Sequence, residues 1–305
     1  MRIGSIVLLA LACATASAQS IVTVNGGAAS VSVLRVDPAT GAMHGVDYAN
    51  RQPLAWGVGT LDGARQRLFY VQGHNLMQFD LRHHSASAIN YAPAEGLYDL
   101  AWDAASQRLL SVVDYPIRVI AIDAVSGKES TLATFPPQYS GIICNIFAFD
   151  AQGRRLFFEI GNGDPELLAV VDVDTGQGYV TRLSAPGHWF LRYDAASDRL
   201  LTYGNACRPE IRSIDPLSGD EEILAAVPDD LAEAEIQVGA FDPVARRLYY
   251  LTELNGRHPR LVTFDVERRT FQGVPFPLSG VIAAFEFLDD RRDVDGRPGS
   301  EHRIP

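Results

Sequence analysis

The sequence predicts an all-β, six-bladed β-propeller of four-stranded antiparallel blades, its ring closed by a C-terminal strand joining the three N-terminal strands. Three observations predict it: an internal repeat of 40 to 50 residues, four short β-rich runs within each repeat, and the absence of any long amphipathic helical pattern between residues 21 and 288.

The repeat has two landmarks. An apolar or aromatic residue followed by Asp, with Arg-Leu five residues after the Asp, occurs at Asp62, Asp103, Asp150, Asp194 and Asp242, at separations of 41, 47, 44 and 48. A second Asp, often followed by a Ser/Thr-Gly turn, occurs at Asp37, Asp80, Asp123, Asp172, Asp215 and Asp265. Between them lie runs such as Leu68 to Val71 and Leu248 to Thr252, bounded by Gly, Pro, Asn and Asp. The inner runs are apolar on both faces, as a sheet sandwiched between two others requires. Four short strands per repeat make a propeller blade. The unequal landmark counts follow from the ends: Val281 to Leu288 reads as an innermost strand without a blade, and Ile21 to Tyr48 as three strands without an innermost one. Joined, they form one blade and leave no open edge.

A feature present in five blades cannot mark one active site, so the repeated Asp and Arg are expected to pair or to cap turns between the first two strands. Asp172-Val173-Asp174-Thr175-Gly176 has the carboxylate alternation of a calcium loop, but its counterparts at Asp37, Asp123 and Asp215 keep only the turn residues. A hairpin turn with Gly at positive φ accounts for all four.

Residues 1–18 have the form of a signal peptide: Arg2, an apolar stretch, then Ala16-Ser17-Ala18 as the cleavage site. The alternative is a lipid-modified Cys13. Residues 19–288 then form the propeller, and 289–305, rich in Asp, Arg, Gly and Pro, read as a disordered charged tail. The expected product is a secreted or periplasmic monomer without a membrane span, since no segment approaches the roughly 20 apolar residues that crossing needs. The net charge of -11 and the absence of a basic run argue against nucleic acid as a partner. After cleavage two cysteines remain, Cys144 and Cys207, expected to form a disulfide between neighbouring blades.

The stretch Phe241-Asp242-Pro243-Val244-Ala245-Arg246-Arg247-Leu248-Tyr249-Tyr250 resembles the YWTD blade of lipoprotein-receptor propellers, and shares its blade grammar with NHL and gluconolactonase-like propellers. Such resemblance implies a fold more than a function. What varies between blades is therefore more informative. Residues leading into the innermost strands face the axial opening of a propeller, and here they include Trp56, Tyr98, Asp99, Asn145, His188, Trp189, Glu235 and Gln237. Convergent polar and aromatic groups in a concave opening predict a binding site for a small polar ligand or a protein segment, with no cofactor. The gluconolactonase resemblance implies an alternative, a metal-dependent lactonase-type hydrolase with Ca2+ or another divalent ion held by Asn145, Asp99 and Glu235. Asn145 stands in the place of an axial ligand, but Ile146 replaces the usual Gly and the Glu-x-Pro-x-Trp opening is absent. No G-x-S-x-G, H-E-x-x-H or phosphate-loop motif occurs.

Overall fold

Short runs buried on both faces, separated by turn-forming Asp and Gly, fold the described residues into 24 strands in six antiparallel sheets of four, the six-bladed propeller the repeat predicts. The structure is a computed structural model. It describes residues 19–26, 30–49, 52–91, 96–139, 141–161, 166–204, 208–232, 235–253, 259–276 and 281–289, without the side chains of 48, 49, 56, 144, 145, 235–237 and 253. The signal peptide, the C-terminal tail from 290 and Cys207 lie outside the described residues, as does the side chain of Cys144, and the disulfide expectation falls there with them.

Blade 1 joins the strand Val281–Asp289 to Gln19–Gly26, Ser30–Val36 and Met43–Ala49. The closing pair runs antiparallel from Gln19 opposite Asp289 to Gly26 opposite Val281. Blades 2 to 6 follow in chain order over residues 54–89, 101–134, 142–182, 192–226 and 235–275, each counted from its innermost strand outward.

Each seam between adjacent blades is filled by one cluster of buried apolar residues, six clusters for six seams. The smallest lies between blades 4 and 5, around Phe157, Leu191 and Leu200. Aromatic landmarks reinforce alternate seams. Trp102 stacks on Phe69 at 5.3 Å between ring centres, Tyr193 on Phe157 at 5.5 Å, and Phe287 on Tyr249 at 6.0 Å. The Arg of the repeat lies over these rings, Arg67 beside Phe69 and Trp102, and Arg155 beside Phe157 and Tyr193.

The repeated Asp serves both purposes expected of it. Its carboxylate accepts backbone amides of the following turn, as Asp150 does from Gln152 and Gly153 and Asp242 from Val244 and Ala245. It also pairs with the Arg of its own blade at Asp62–Arg67 (2.6 Å), Asp103–Arg108 (2.9 Å) and Asp150–Arg155 (2.7 Å). Blade 5 departs from this: Asp194 takes Arg246 of blade 6 at 2.5 Å, while Arg199 sits 3.6 Å from Asp215. The turn demands one left-handed residue at the same place in five blades, Gln66, Gln107, Arg154, Asp198 and Arg246, with φ between 49° and 59°.

The Asp-to-Gly segments are hairpin turns between third and fourth strands, with Gly41, Gly127, Gly176 and Gly219 at φ of 71° to 78°. The glycines do more than turn the chain. A Cβ on Gly127 would collide with the carbonyl of Asn90, and one on Gly219 with that of Arg182, each at the outer strand of the preceding blade.

Candidate functional site

The innermost strands present their free edges to the propeller axis, so a side chain carried there reaches the channel only if it departs from the small and apolar residues that fill these strands. Among the described side chains, Arg192 of blade 5 and Glu286 of blade 1 do, and with Asp99, two residues before the innermost strand of blade 3, they line an axial cavity of about 270 Å³ to which all six innermost strands contribute. Its lining includes Leu61, Phe149 and Ala151 near the ends of their innermost strands, so this cavity opens away from the leading loops.

Asp99 is buried. Its carboxylate accepts the Leu100 amide at 2.7 Å, and its backbone carbonyl accepts the Ser111 hydroxyl at 2.6 Å. Burial raises its pKa well above the usual carboxylate range, Arg192 opposing and Glu286 adding to the rise. Glu286 is raised for the same first reason, since the quarter of its side chain left open faces the channel rather than bulk water. Arg192 donates to the carbonyls of Leu191 (2.8 Å) and Phe147 (3.4 Å), and its Nη2 stands 3.9 Å from Glu286. That separation is longer than a direct hydrogen bond, so the Arg192–Glu286 pair is open to a bridging polar group.

The structure distributes the sequence-predicted residues unevenly. Asp99 lies in the axial cavity. Tyr98 packs against the apolar seam between blades 3 and 4, and Trp189 against that between blades 5 and 6. Trp56, Asn145, Glu235 and Gln237 lie on innermost strands, with side chains outside the described residues. His188 corrects the expectation of an axial position. It pairs with Gly204 in an isolated bridge and turns its ring into the seam between blades 4 and 5.

There His188 meets a buried ionic cluster. Its Nε2 lies 3.2 Å from Glu221 Oε2, on the outermost strand of blade 5. Its Nδ1 lies 2.8 Å from Glu159 Oε1 and 3.6 Å from Glu166 Oε2. Arg212 bonds Glu210 and Glu221 at 3.0 and 3.1 Å, and the Gly187 amide donates to Glu166 Oε2 at 3.0 Å. Burial works against the imidazolium, but Glu159 and Glu221 outweigh it and carry the His188 pKa up to about 10. Burial raises Glu159.

Arg192 and Glu286 escaped the sequence reading, although each had a signal. Two residues before the landmark Asp, the other blades carry Thr60, Ala101, Ala148 and Ala240 where blade 5 carries Arg192. Glu286 interrupts the otherwise apolar run from Val281 to Leu288.

A larger cleft, about 820 Å³, lies at the closing seam between blades 6 and 1 and is lined by Arg35, His44, Asp265 and Arg268 among others. It draws on outer strands of two blades only, and does not collect groups from around the ring.

No protein-family model matches the chain, and no curated protein matches it. Solved structures do. A chain of a nidogen/laminin complex aligns with 88% of this chain and 98% of its own, at 11% identity and a TM-score of 0.69. TolB from Acinetobacter baumannii aligns with 89% of this chain and 67% of its own, at 14% identity and a TM-score of 0.66. A TolB-type protein from Agrobacterium tumefaciens aligns over 84% and 87%, at 10% identity and a TM-score of 0.61. The likeness is one of fold. At these identities it extends to the propeller and not to any site. Among the described residues no helix is long and apolar enough to cross a membrane.

Proposed function

We propose that this chain is an exported binding propeller, not an enzyme, which takes a small polar ligand or the tip of a protein segment into its axial channel. The observation that carries the reading is the convergence of Asp99, Arg192 and Glu286, from three non-adjacent blades, on one cavity that all six innermost strands line. Charged groups on innermost strands cost desolvation, and a ligand that completes their hydrogen bonding returns it. The propeller of similar shape in the nidogen/laminin complex supports an interaction role, and the leader-like residues 1–18 support export. Nothing among the described residues favours the lactonase alternative.

Two small probes test the channel on the full chain, arginine amide as a cation and succinate as an anion. One of them should raise the melting temperature in a saturable way, and Arg192→Met or Glu286→Gln should abolish that rise. Neither probe acting, or both acting undiminished on the two variants, would remove the axial channel as the site.

A further inference from the structure

We propose that Glu159, Glu166 and His188 form a binding site for one divalent metal ion, best suited to Zn2+, in the seam between blades 4 and 5. The site is separate from the axial channel and does not depend on the function proposed for it.

The three residues come from different elements: Glu159 from the second strand of blade 4, Glu166 from the residue just before its third, and His188 from the segment linking blades 4 and 5. One potential ligand atom from each lies within 4.8 Å of the others. The two spacings from His188 Nδ1, 2.8 and 3.6 Å, bracket the separation of about 3.3 Å between donors on a tetrahedral zinc with bonds of about 2.0–2.1 Å. One nitrogen and two carboxylates suit zinc better than calcium, which takes oxygen ligands alone.

The hydrogen bonding points the same way. Glu159 is completely buried, and both its carboxylate oxygens lack a hydrogen bond; so does His188 Nδ1. The Nδ1 to Oε1 approach of 2.8 Å is close without having the direction of a hydrogen bond. Buried polar atoms left in this state cost free energy, and an ion between them removes the cost. On the other side of the ring, Glu221 accepts from Nε2 at 3.2 Å, which frees Nδ1 to face the carboxylates, the arrangement by which a carboxylate orients a metal-binding histidine. Arg212 is engaged with Glu210 and Glu221, so without an ion the positive charge facing Glu159 and Glu166 is the His188 imidazolium; a dication bound at Nδ1 displaces that proton and takes over its role. A cleft of about 300 Å³ borders Glu166, Arg182 and Ser184, so the Glu166 side of the site lies beside solvent.

The test uses the full chain, stripped with a chelator and titrated with zinc alone. One Zn2+ per chain is expected, with a higher melting temperature in zinc than in magnesium or calcium, and Co2+ in its place should show visible d–d absorption. Glu159→Gln and His188→Ala should weaken binding at least about 100-fold, and Glu221→Gln about 10-fold, in line with the loss of an orienting partner. Should the buried variants fail to fold, Glu166→Gln at the rim of the site answers the same question. No zinc above background on the wild-type chain, or undiminished zinc binding in Glu159→Gln or Glu166→Gln, would overturn the site.

Discussion

Asp103→Asn removes one charge from the seam between blades 3 and 4 while keeping the side chain's size. The carboxylate it replaces is fully buried and receives Arg154 of the next blade through two bonds of 2.6 and 2.7 Å, Arg108 of its own blade at 2.9 Å, and the Ser106 amide at 3.3 Å. Burial pushes its pKa up, but these partners outweigh burial and hold it at about 2 against an ordinary 3.8. At about 1.4 kcal/mol per tenfold change in proton affinity, that difference favours the folded state by about 2–3 kcal/mol at neutral pH. Arg154 keeps Asp174 as a partner, at 2.9 Å, and so is not orphaned by the change. The expected loss is therefore about 2–3 kcal/mol, or a melting temperature lower by about 3–5 °C for a chain of this size. Because the folded pKa is depressed, the contribution is complete above about pH 4 and disappears as pH falls from 4 to 2. Thermal and urea unfolding of both proteins at pH 7 and across pH 4 to 2 measure it. Equal stability at pH 7, or a gap that persists unchanged at pH 2, would refute the assignment.

Gly127→Ala should cost about 2–4 kcal/mol in denaturant unfolding, because it adds strain at positive φ and a methyl group against the Asn90 carbonyl; a loss under about 0.5 kcal/mol would show that blades 2 and 3 can part there freely. Deleting residues 281 to 289 removes the innermost strand of blade 1 and uncovers the edge of Gln19–Gly26. Soluble protein with a single sharp unfolding transition after that deletion would contradict closure. At Gln66, with φ of 53°, Gly should be neutral or stabilising despite losing the bond to Arg35, whereas Val should destabilise by about 1–2 kcal/mol. The reverse order in melting temperature would count against the left-handed turn.

The fold was legible because it is repeated. Each Asp landmark is weak alone, but five at one spacing define a register, and the two leftover end segments then have one way to complete a blade. The sites were less legible because they lie where the repeat breaks. Glu159 occupies the position that is Val71, Val112, Tyr203 and Leu251 in the other blades, a carboxylate among buried apolar counterparts. Reading the blades against one another at each position would have exposed it, together with Arg192. His188 shows the other limit. The repeat puts it just ahead of an innermost strand, but whether a loop side chain turns toward the axis or outward depends on the Glu221 and Glu159 partners that only the assembled seam provides.

Closure by the last strand has a consequence for the order of events in synthesis. The strands of blade 1 from Gln19 leave the ribosome first, and their missing neighbour at Val281–Asp289 leaves last. At about 5–20 residues per second that interval lasts tens of seconds. Throughout it Gln19–Gly26, apolar and unpaired along one side, offers the hydrogen-bonding row that Val281–Asp289 will eventually fill to any other extended chain nearby. A newborn chain of this kind is safest when kept from folding until it is complete, and delivery across a membrane as an extended polymer would supply that delay.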